Sequence, residues 1–267
     1  MTLHAVIGTG RLSQALVPAL RAVGAAVVVG SRAGPVLPAE AAAQGDWVWV
    51  LVPDDAIAST AAALPWRPSQ LGLHASGATP LSALSAAPAA AGFHPLRLLA
   101  GGAVGLAGAH VGIEADGQHR HALEALAVQL GLVPLSLPHG MSGAQRAAYH
   151  AAANLAASGV LAVLAEAEDL WRAAGLAAEA ALPALAPLTR GALDTALARS
   201  LAAAVSGPVA RGDLEVLARH RAAVAAAGLD AGLWRGLAQR QLALAEADGR
   251  LDAVQLAALR AWLASVD

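Results

Sequence analysis

Apolar and polar positions follow different patterns in the two halves of the chain. Through residue 138, short apolar runs alternate with stretches whose apolar positions recur at helical spacing. From His139 onward only the helical spacing remains. The pattern predicts an α/β domain over residues 1–138, built on a doubly wound and mostly parallel sheet, followed by an all-α domain over residues 139–267. The predicted strands are residues 5–7, 26–30, 46–52, 71–73, 109–114 and 132–137.

A glycine-rich turn joins the first predicted strand to the first helix. Gly8 can adopt the backbone angles that such a turn needs, and Gly10 leaves no side chain between the backbone and a pyrophosphate at the helix N-terminus. Ser13 occupies the third fingerprint position, where Gly or Ala is usual. The strand before and the helix after favour dinucleotide binding over a purely structural turn. The predicted contacts here are Gly8, Thr9, Gly10, Arg11 and Leu12.

The end of the second strand predicts which dinucleotide is bound. NAD-binding folds usually carry Asp or Glu roughly 20 residues beyond the glycines, to hold the ribose hydroxyls. Here the strand ends in Ser31-Arg32, and no acid follows until Glu40. A hydroxyl and a guanidinium suit a 2′-phosphate, so we predict NADP; the alternative is that Arg32 is a solvated loop charge. Val52 and Pro53, at the end of the third strand, are predicted to lie beside the cofactor.

Two polar segments that carry histidines follow in the first half. His74 and Ser76 come directly after the strand at residues 71–73, and His94 precedes Pro95 in a second predicted turn. Ligands of open α/β sheets bind at the carboxyl ends of the strands, so both segments are candidates for the active site. Residues 97–108 are glycine-rich and predict a loop over this site. Asp54-Asp55, after the third strand, is interpreted as a turn and helix cap.

The helical half begins with an alanine-rich helix predicted over residues 142–174. Its small residues make it a candidate core or dimer helix, and we interpret its most apolar part, residues 147–165, as a buried helix rather than a membrane span. His150 and Asn154 are four residues apart and share one helix face. Prolines 183 and 187 predict a kink or break, and Arg211 with Asp213 is interpreted as a structural ion pair.

Composition limits the chemistry available to the protein. All 17 basic residues are arginine, which serves poorly as a proton carrier, so a general acid or base must be His, Asp, Glu, Tyr or water. The chain has no cysteine, a formal charge of −2 and no basic run. Disulfides and thiolate chemistry are excluded, and nucleic acid is not an expected partner. We expect a cytoplasmic protein without a signal peptide.

Several motifs spread over most of the chain occur together. They are Gly8-Thr9-Gly10, Val52-Pro53-Asp54-Asp55-Ala56-Ile57, His74-Ala75-Ser76-Gly77, Phe93-His94-Pro95-Leu96, Tyr149-His150-Ala151-Ala152 and Ser206-Gly207-Pro208-Val209-Ala210-Arg211-Gly212-Asp213, with His220 beyond. The chain thereby resembles a family of oxidoreductases with a Rossmann-like N-terminal half and a helical C-terminal domain of unknown function, within the 6-phosphogluconate dehydrogenase C-terminal-like superfamily. The resemblance implies that fold, NADP as cofactor and a homodimer, and it implies no substrate.

Relatives of that family suggest roles for individual residues. Ser76 and His94-Pro95 resemble a serine and a His-Pro turn of prephenate and arogenate dehydrogenases, in which the histidine engages the substrate hydroxyl that loses its proton. His150 and Asn154 resemble the Lys and Asn, four residues apart, of β-hydroxyacid and 6-phosphogluconate dehydrogenases. Histidine replaces lysine at that position here, so a lysine mechanism is not available to this chain.

These observations predict an NADP-dependent oxidoreductase acting on a small hydroxy, keto, amino or imino compound. Histidine is the expected proton carrier, because its ordinary pKa near 6.5 lies close to neutral pH. His94 is the first candidate for this role and His150 the second. We expect a cleft between the two halves that is lined by His74, Ser76, His94, His150 and Asn154. One alternative is an NADP-binding sensor or scaffold without turnover. Another, a metal-dependent hydrolase, is disfavoured because the nine histidines form no motif of the metal-site kind.

Overall fold

The computed structural model describes residues 2–99 and 105–265 of the chain. It divides into two compact units, Met1–Ala157 and Ser158–Asp267. The first unit contains a seven-stranded sheet, whose strands are β1 (Leu3–Ile7), β2 (Ala26–Gly30), β3 (Trp47–Val50), β4 (Leu71–His74), β5 (Ala89–Pro95), β6 (His110–Glu114) and β7 (Val133–Ser136). Their spatial order is β2-β1-β3-β4-β5-β6-β7.

The sheet is parallel except at one strand pair. Strands β1 to β5 run parallel, β6 pairs antiparallel with β5, and β7 runs parallel to β6. The helices of this unit are α1 (Arg11–Ala22), α2 (Pro38–Gln44), α3 (Ile57–Ala62), α4 (Gly117–Gln129) and α5 (Gly143–Asn154). The predicted architecture is therefore confirmed: a Rossmann-like, mostly parallel sheet precedes a helical domain.

Buried apolar side chains cover both faces of the sheet. Val6 and Trp49 belong to a cluster on one face, while Ile7 and Val50 belong to a cluster on the other. Strands buried on both sides have continuous apolar runs, which explains why these strands were recognisable in the sequence. The Trp49 indole also donates from Nε1 to Nδ1 of the buried His4 at 3.0 Å, so the polar atoms of this core residue are paired.

One predicted turn differs from the structure. His94 lies inside β5, next to its last residue, and not in a turn after a strand. Its extended backbone pairs with the antiparallel β6, a partner that sequence pattern alone does not reveal. Between β4 and β5, residues Leu81–Leu84 form a 3₁₀-helix. The predicted loop over residues 97–108 is described only in part, because residues 100–104 lie outside the described residues.

The second unit consists of helices. They are α6 (Val160–Ala173), α7 (Ala178–Ala198), α8 (Leu201–Ala204), α9 (Pro208–Arg211), α10 (Leu214–Ala226), α11 (Ala231–Ala247) and α12 (Ala253–Ala264). The predicted break at prolines 183 and 187 is wrong, since α7 continues through both. The two prolines are four residues apart on one helix face, so the missing hydrogen bonds fall on that face alone. Asp213 caps α10 by accepting from the Val216 N–H at 3.0 Å, and within the described residues it makes no ion pair with Arg211.

The long helix predicted over residues 142–174 is present with one irregularity. Helices α5 and α6 are joined by π-helical residues Leu155–Gly159. The division between the two compact units falls in this segment, whereas the sheet ends near the predicted boundary at residue 138. By length and composition the stretch Gly143–Ala173 could cross a membrane, with a mean hydropathy of 1.4. The prediction of a buried helix here is wrong, because no part of its most apolar window is buried.

Candidate active site

The turn after β1 needs glycine at its first position. Gly8 has a φ of +114°, and a Cβ there would lie 2.3 Å from the carbonyl oxygen of Leu51. The Gly8 N–H donates to the carbonyl of Gly30 at 2.9 Å, which ties the turn to the end of β2. At Gly10 a Cβ would meet nothing within 4 Å, so the turn is open on that side. The backbone at Gly10 is therefore accessible to a ligand.

Helix α1 begins at this open side with its backbone donors available. Gly10 is its N-cap, and no side chain caps the first turn. Ser13 is 3% exposed, and its hydroxyl has no hydrogen-bond partner among the described residues. Because this small side chain points into the core, it leaves the N-terminus of the helix free, as Gly or Ala would. The uncapped helix end fits a phosphate group.

Two guanidinium groups lie near this helix end and the end of β2. Arg11 and Arg32 are both exposed, and in the described part of the chain neither makes an ion pair or a side-chain hydrogen bond. Ser31 is held in a turn by its N–H, which donates to the carbonyl of Val36 at 3.0 Å. Glu40 accepts from the N–H of Leu37 at 2.9 Å, so it serves the start of α2 and does not replace the missing ribose-binding acid.

These features fit an NADP molecule. The residues that could hold it are Gly8, Thr9, Gly10, Arg11 and Leu12 at the turn, Ser31 and Arg32 after β2, and Val52 and Pro53 after β3. Val52 lies against the turn, with its Cγ1 3.7 Å from the position that a Cβ on Gly8 would take.

A second polar cluster is formed by His94 on β5 and two residues of α5. Nδ1 of His94 is 2.9 Å from the hydroxyl of Tyr149, and the two rings meet edge to face with centroids 5.6 Å apart. The ring of His150 lies 6.5 Å from that of His94. Both histidines are catalytic candidates from the sequence, whereas Tyr149 is part of a motif there and has no role of its own.

Two glycines make room for this cluster. Gly112 pairs with His94 across β5 and β6, and a Cβ on Gly112 would lie 2.4 Å from the hydroxyl of Tyr149. A Cβ on Gly77 would lie 2.7 Å from Cε1 of His94 and 3.0 Å from Cδ2 of His150. Only residues without a side chain fit at these two positions, so the sequence provides the space in which the rings meet.

The Ser76 hydroxyl forms hydrogen bonds within its own turn and with a carboxylate. Its hydroxyl donates to Oδ2 of Asp54 at 2.7 Å and accepts from the N–H groups of Ala78 and Thr79. Asp54 therefore binds Ser76 from the end of β3, and no side chain caps the 3₁₀-helix that Asp54 begins. The interpretation of Asp54 as a helix cap is wrong.

His74 lies beneath the turn that carries Ser76. Its side chain is fully buried, and Nδ1 accepts from the N–H of Ser76 at 3.3 Å. Burial, followed by the positive charge of Arg146, lowers the pKa of His74 to about 4, against a smaller raising effect of Asp54. His74 is therefore a neutral imidazole at neutral pH, with no exposed surface for a substrate.

A buried ion pair fixes α5 to the sheet. Arg146 donates from Nη2 to Oε2 of Glu114 and from Nη1 to the carbonyl of Ser76 at 3.3 Å. Oε1 of Glu114 accepts from the N–H groups of Gly140 and Met141, each at 3.0 Å. Both charged side chains are at most 2% exposed. The ion pair thus fixes α5 to the sheet at Arg146, three residues before Tyr149.

The electrostatic surroundings keep His94 neutral. Burial, followed by the charges of His150 and Arg146, lowers the pKa of His94 to about 4, against a smaller raising effect of Asp54. Burial raises the pKa of Tyr149. The expectation that His94 would titrate near neutral pH thus differs from the structure, because the sequence does not show how deeply the strand end is covered.

The predicted catalytic residues all lie within the first compact unit, Met1–Ala157. His74, Ser76, His94 and His150 come together around Gly77. Asn154 is exposed one turn beyond His150, and its side chain makes no hydrogen bond in the described part of the chain. The described residues contain no group of three His, Cys, Asp or Glu side chains suited to hold a metal ion.

A glycine turn and a histidine cluster thus lie on one mostly parallel sheet of an α/β unit that precedes a helical domain. Residues 109–241 match a family model described as a domain of unknown function, DUF2520. No curated protein matches the chain in sequence.

Solved structures share this fold at low sequence identity. A Thermotoga maritima protein is 19% identical, with a TM-score of 0.70 over 92% of this chain and 99% of that one. A reductive aminase from Aspergillus terreus, in complex with NADPH and ethyl levulinate, is 19% identical, with a TM-score of 0.68 over 98% and 99% of the two chains. An imine reductase from Streptomyces aurantiacus is 19% identical, with a TM-score of 0.64 over 97% and 99%.

Proposed function

We propose that the protein is an NADP-dependent oxidoreductase acting on a small hydroxy, keto, amino or imino compound. The observation that carries this proposal is that His94 pairs with Tyr149, beside His150, near the carboxyl end of β5. Because β1 to β5 are parallel, the turns that carry Gly8 and Arg32 follow β1 and β2 at this same edge of the sheet. The reductive aminase and imine reductase that share the fold favour the imino class within this range.

The chain offers the contacts that NADP needs. The open Gly10 backbone and the uncapped start of α1 would bind the pyrophosphate. The guanidinium groups of Arg11 and Arg32, which have no side-chain partner among the residues that the structure describes, would bind the 2′-phosphate together with the hydroxyl of Ser31. When bound, the reduced cofactor supplies a hydride to a carbonyl or imine carbon.

In this proposal His94 and His150 have different roles: one binds the substrate and the other exchanges a proton. His94 is neutral at neutral pH, so it binds the reacting oxygen or nitrogen of the substrate through an uncharged ring nitrogen. His150 is exposed and contacts the same Gly77 turn, so it is the histidine placed to exchange a proton with solvent. His74 and Ser76 hold the turn that carries Gly77, and Asn154 lies one turn beyond His150 on α5.

The direct test is a screen of small hydroxy, keto, amino and imino compounds that follows NADPH absorbance. On a substrate so found, His94→Ala and His150→Ala should each lower turnover about 10²–10⁴-fold while leaving NADPH affinity unchanged. His119→Ala, on the exposed start of α4, is the matched control and should retain full turnover. Near-wild-type turnover in both variants would contradict a histidine mechanism, and tight NADPH binding without any turnover would favour a sensor.

We also propose that the protein is a homodimer formed through its long helices. Large apolar side chains on α6, α7 and α8 are exposed: Leu161 (55%), Leu182 (48%), Leu188 (70%), Leu193 (53%), Leu197 (87%) and Leu201 (66%). The stretch Gly143–Ala173 also contains Arg146, buried in its ion pair with Glu114, and Asp169 near its end. The ion pair of Arg146 fixes the start of this stretch to the sheet, and Asp169 forms an exposed ion pair with Arg172 near its end. Both features are unfavourable for a membrane-spanning helix, so a second copy of the chain is the occupant that we propose.

A further inference from the structure

Tyr149 has a structural setting that simple packing does not require. It is the single tyrosine of the chain, and its hydroxyl is 2.9 Å from Nδ1 of His94. The phenol ring fits over Gly112, where a Cβ would lie 2.4 Å from the hydroxyl oxygen. Three residues earlier on the same helix, Arg146 is fixed to Glu114. The helix, the strand and the glycine therefore jointly fix where this hydroxyl lies.

The two nitrogens of His94 have different surroundings. Nδ1 faces Tyr149, whereas Nε2 has no hydrogen-bond partner among the described residues. Nε2 of His74 is completely buried without a partner, whereas Nε2 of His94 is not completely buried. Nε2 is therefore the atom of His94 that a ligand can reach.

We propose that Tyr149 is a positioning residue for His94, whose hydroxyl donates to Nδ1 and thereby presents an Nε2–H donor to the substrate. A neutral imidazole carries one N–H, so a donor bound at Nδ1 leaves the hydrogen on Nε2. A phenol is a better donor than acceptor toward an imidazole nitrogen, which decides the direction of the bond. The substrate contact in this inference rests on the proposed function, whereas the tautomer of His94 is independent of it.

The inference defines what the reacting substrate atom must be. An Nε2–H group can bind an oxygen or nitrogen that carries a lone pair, such as a carbonyl oxygen or a neutral imine nitrogen. The same group cannot accept the proton of a hydroxyl or ammonium substrate. His94 in this tautomer therefore serves the reductive direction, in which negative charge develops on the substrate atom that it contacts.

Tyr149→Phe removes the hydroxyl and keeps the ring, so it isolates the hydrogen bond. In ¹⁵N-histidine-labelled protein without cofactor or substrate, we expect wild-type His94 to carry its hydrogen on Nε2, with Nδ1 in a hydrogen bond. A spectrum of His94→Gln identifies the His94 signals. In Tyr149→Phe the hydrogen-bond signature of Nδ1 should disappear, and the His94 pKa should rise, because a donor to the neutral imidazole is lost.

Other charged groups near His94 are controlled separately. His150, Arg146 and Asp54 all act on its pKa. His150→Gln should change the pKa of His94 but leave the hydrogen bond at Nδ1 intact, so it is the matched control. Gly112→Ala should displace the phenol, remove the same signature and lower the Tyr149 pKa toward its ordinary value, which absorbance of the single tyrosinate measures directly.

Two results would overturn the inference. One is a wild-type His94 that carries its hydrogen on Nδ1. The other is an unchanged Nδ1 signal in both Tyr149→Phe and Gly112→Ala. Neither result depends on a substrate, so failure here is distinct from failure of the proposed oxidoreductase activity. Once a substrate is known, Tyr149→Phe should lower kcat of the reduction more than it changes KM for NADPH.

Discussion

At the scale of single residues, the end of β2 separates the two nicotinamide cofactors. An acid at this position would bind ribose hydroxyls and repel a 2′-phosphate. Ser31 and Arg32 stand there instead, and the nearest acid, Glu40, is occupied by the N–H of Leu37. Arg32 is exposed and has no partner in the described part of the chain, so it requires no rearrangement to meet a phosphate.

Replacing Arg32 by Ala should weaken NADPH binding and leave NADH binding unchanged. The loss of a charge-assisted phosphate contact should cost about 1.5–3 kcal/mol, and fluorescence titration of both cofactors measures it. Arg21→Ala is the matched control, since Arg21 lies in the last turn of α1, away from the cofactor turn. Equal affinity of the wild-type protein for NADPH and NADH would contradict the assignment.

Residue types alone revealed part of the candidate site. Gly8 could be predicted because its conformation and its place after an apolar strand are local properties. His94 and His150 could be selected because histidine is one of few proton carriers in a chain without lysine. The partnership of Asp54 with Ser76, and that of Tyr149 with His94, join residues 22 and 55 positions apart. Such pairs depend on the tertiary fold, and no local pattern indicates them.

At the scale of elements, the first turns of α5 pack against glycines in two neighbouring strands. Gly92 on β5 lies opposite Glu114 on β6, and a Cβ there would lie 3.3 Å from Nη2 of Arg146. Gly112 leaves the corresponding space for Tyr149. The helix can therefore approach this part of the sheet closely, and the buried Arg146–Glu114 pair sets its position along the strands.

Breaking this pair from one side should destabilise the first unit strongly. Glu114→Gln or Arg146→Met leaves an uncompensated buried charge, so each should lower the free energy of unfolding by about 3–5 kcal/mol in urea titrations. The double variant should recover part of that loss, because no lone charge remains. Removing the exposed Arg219–Glu215 pair of α10 should change stability by less than about 1 kcal/mol. Single variants with losses that small would contradict the anchoring role.

The elements themselves were predictable to different degrees. Strands β1 to β4 are buried on both faces, so their apolar runs stood out from the helices that flank them. The strand that carries His94 contains Gly92 and Pro95 and pairs antiparallel with β6, and its pattern suggested a turn. Helix α7 contains two prolines that predict a break, yet its remaining hydrogen bonds keep it continuous.

At the scale of the whole molecule, the two units use alanine-rich sequence differently. In the first unit, alanines of the helices that cover the sheet are buried, such as Ala41 on α2 and Ala61 on α3. In the second unit, buried residues concentrate around α9 to α12, while α6, α7 and α8 present leucines to the outside. A chain with 13% charged residues has little polar surface with which to cover such helices. Exposed leucines on neighbouring helices make this surface a candidate interaction site.

The dimer proposal makes this surface an interface between two copies of the chain. Light scattering at micromolar concentration should give twice the mass of one chain. Replacing Leu193 and Leu197 together by Glu places two charges on adjacent turns of α7 and should shift the protein to a monomer, because unpaired charges are costly at a buried interface. Val254→Glu on α12 is the matched control, since Val254 is 78% exposed on a helix outside the proposed interface. A monomeric wild-type protein would exclude the dimer, and partitioning of the wild type into lipid vesicles, lost in the double variant, would assign the same surface to a membrane.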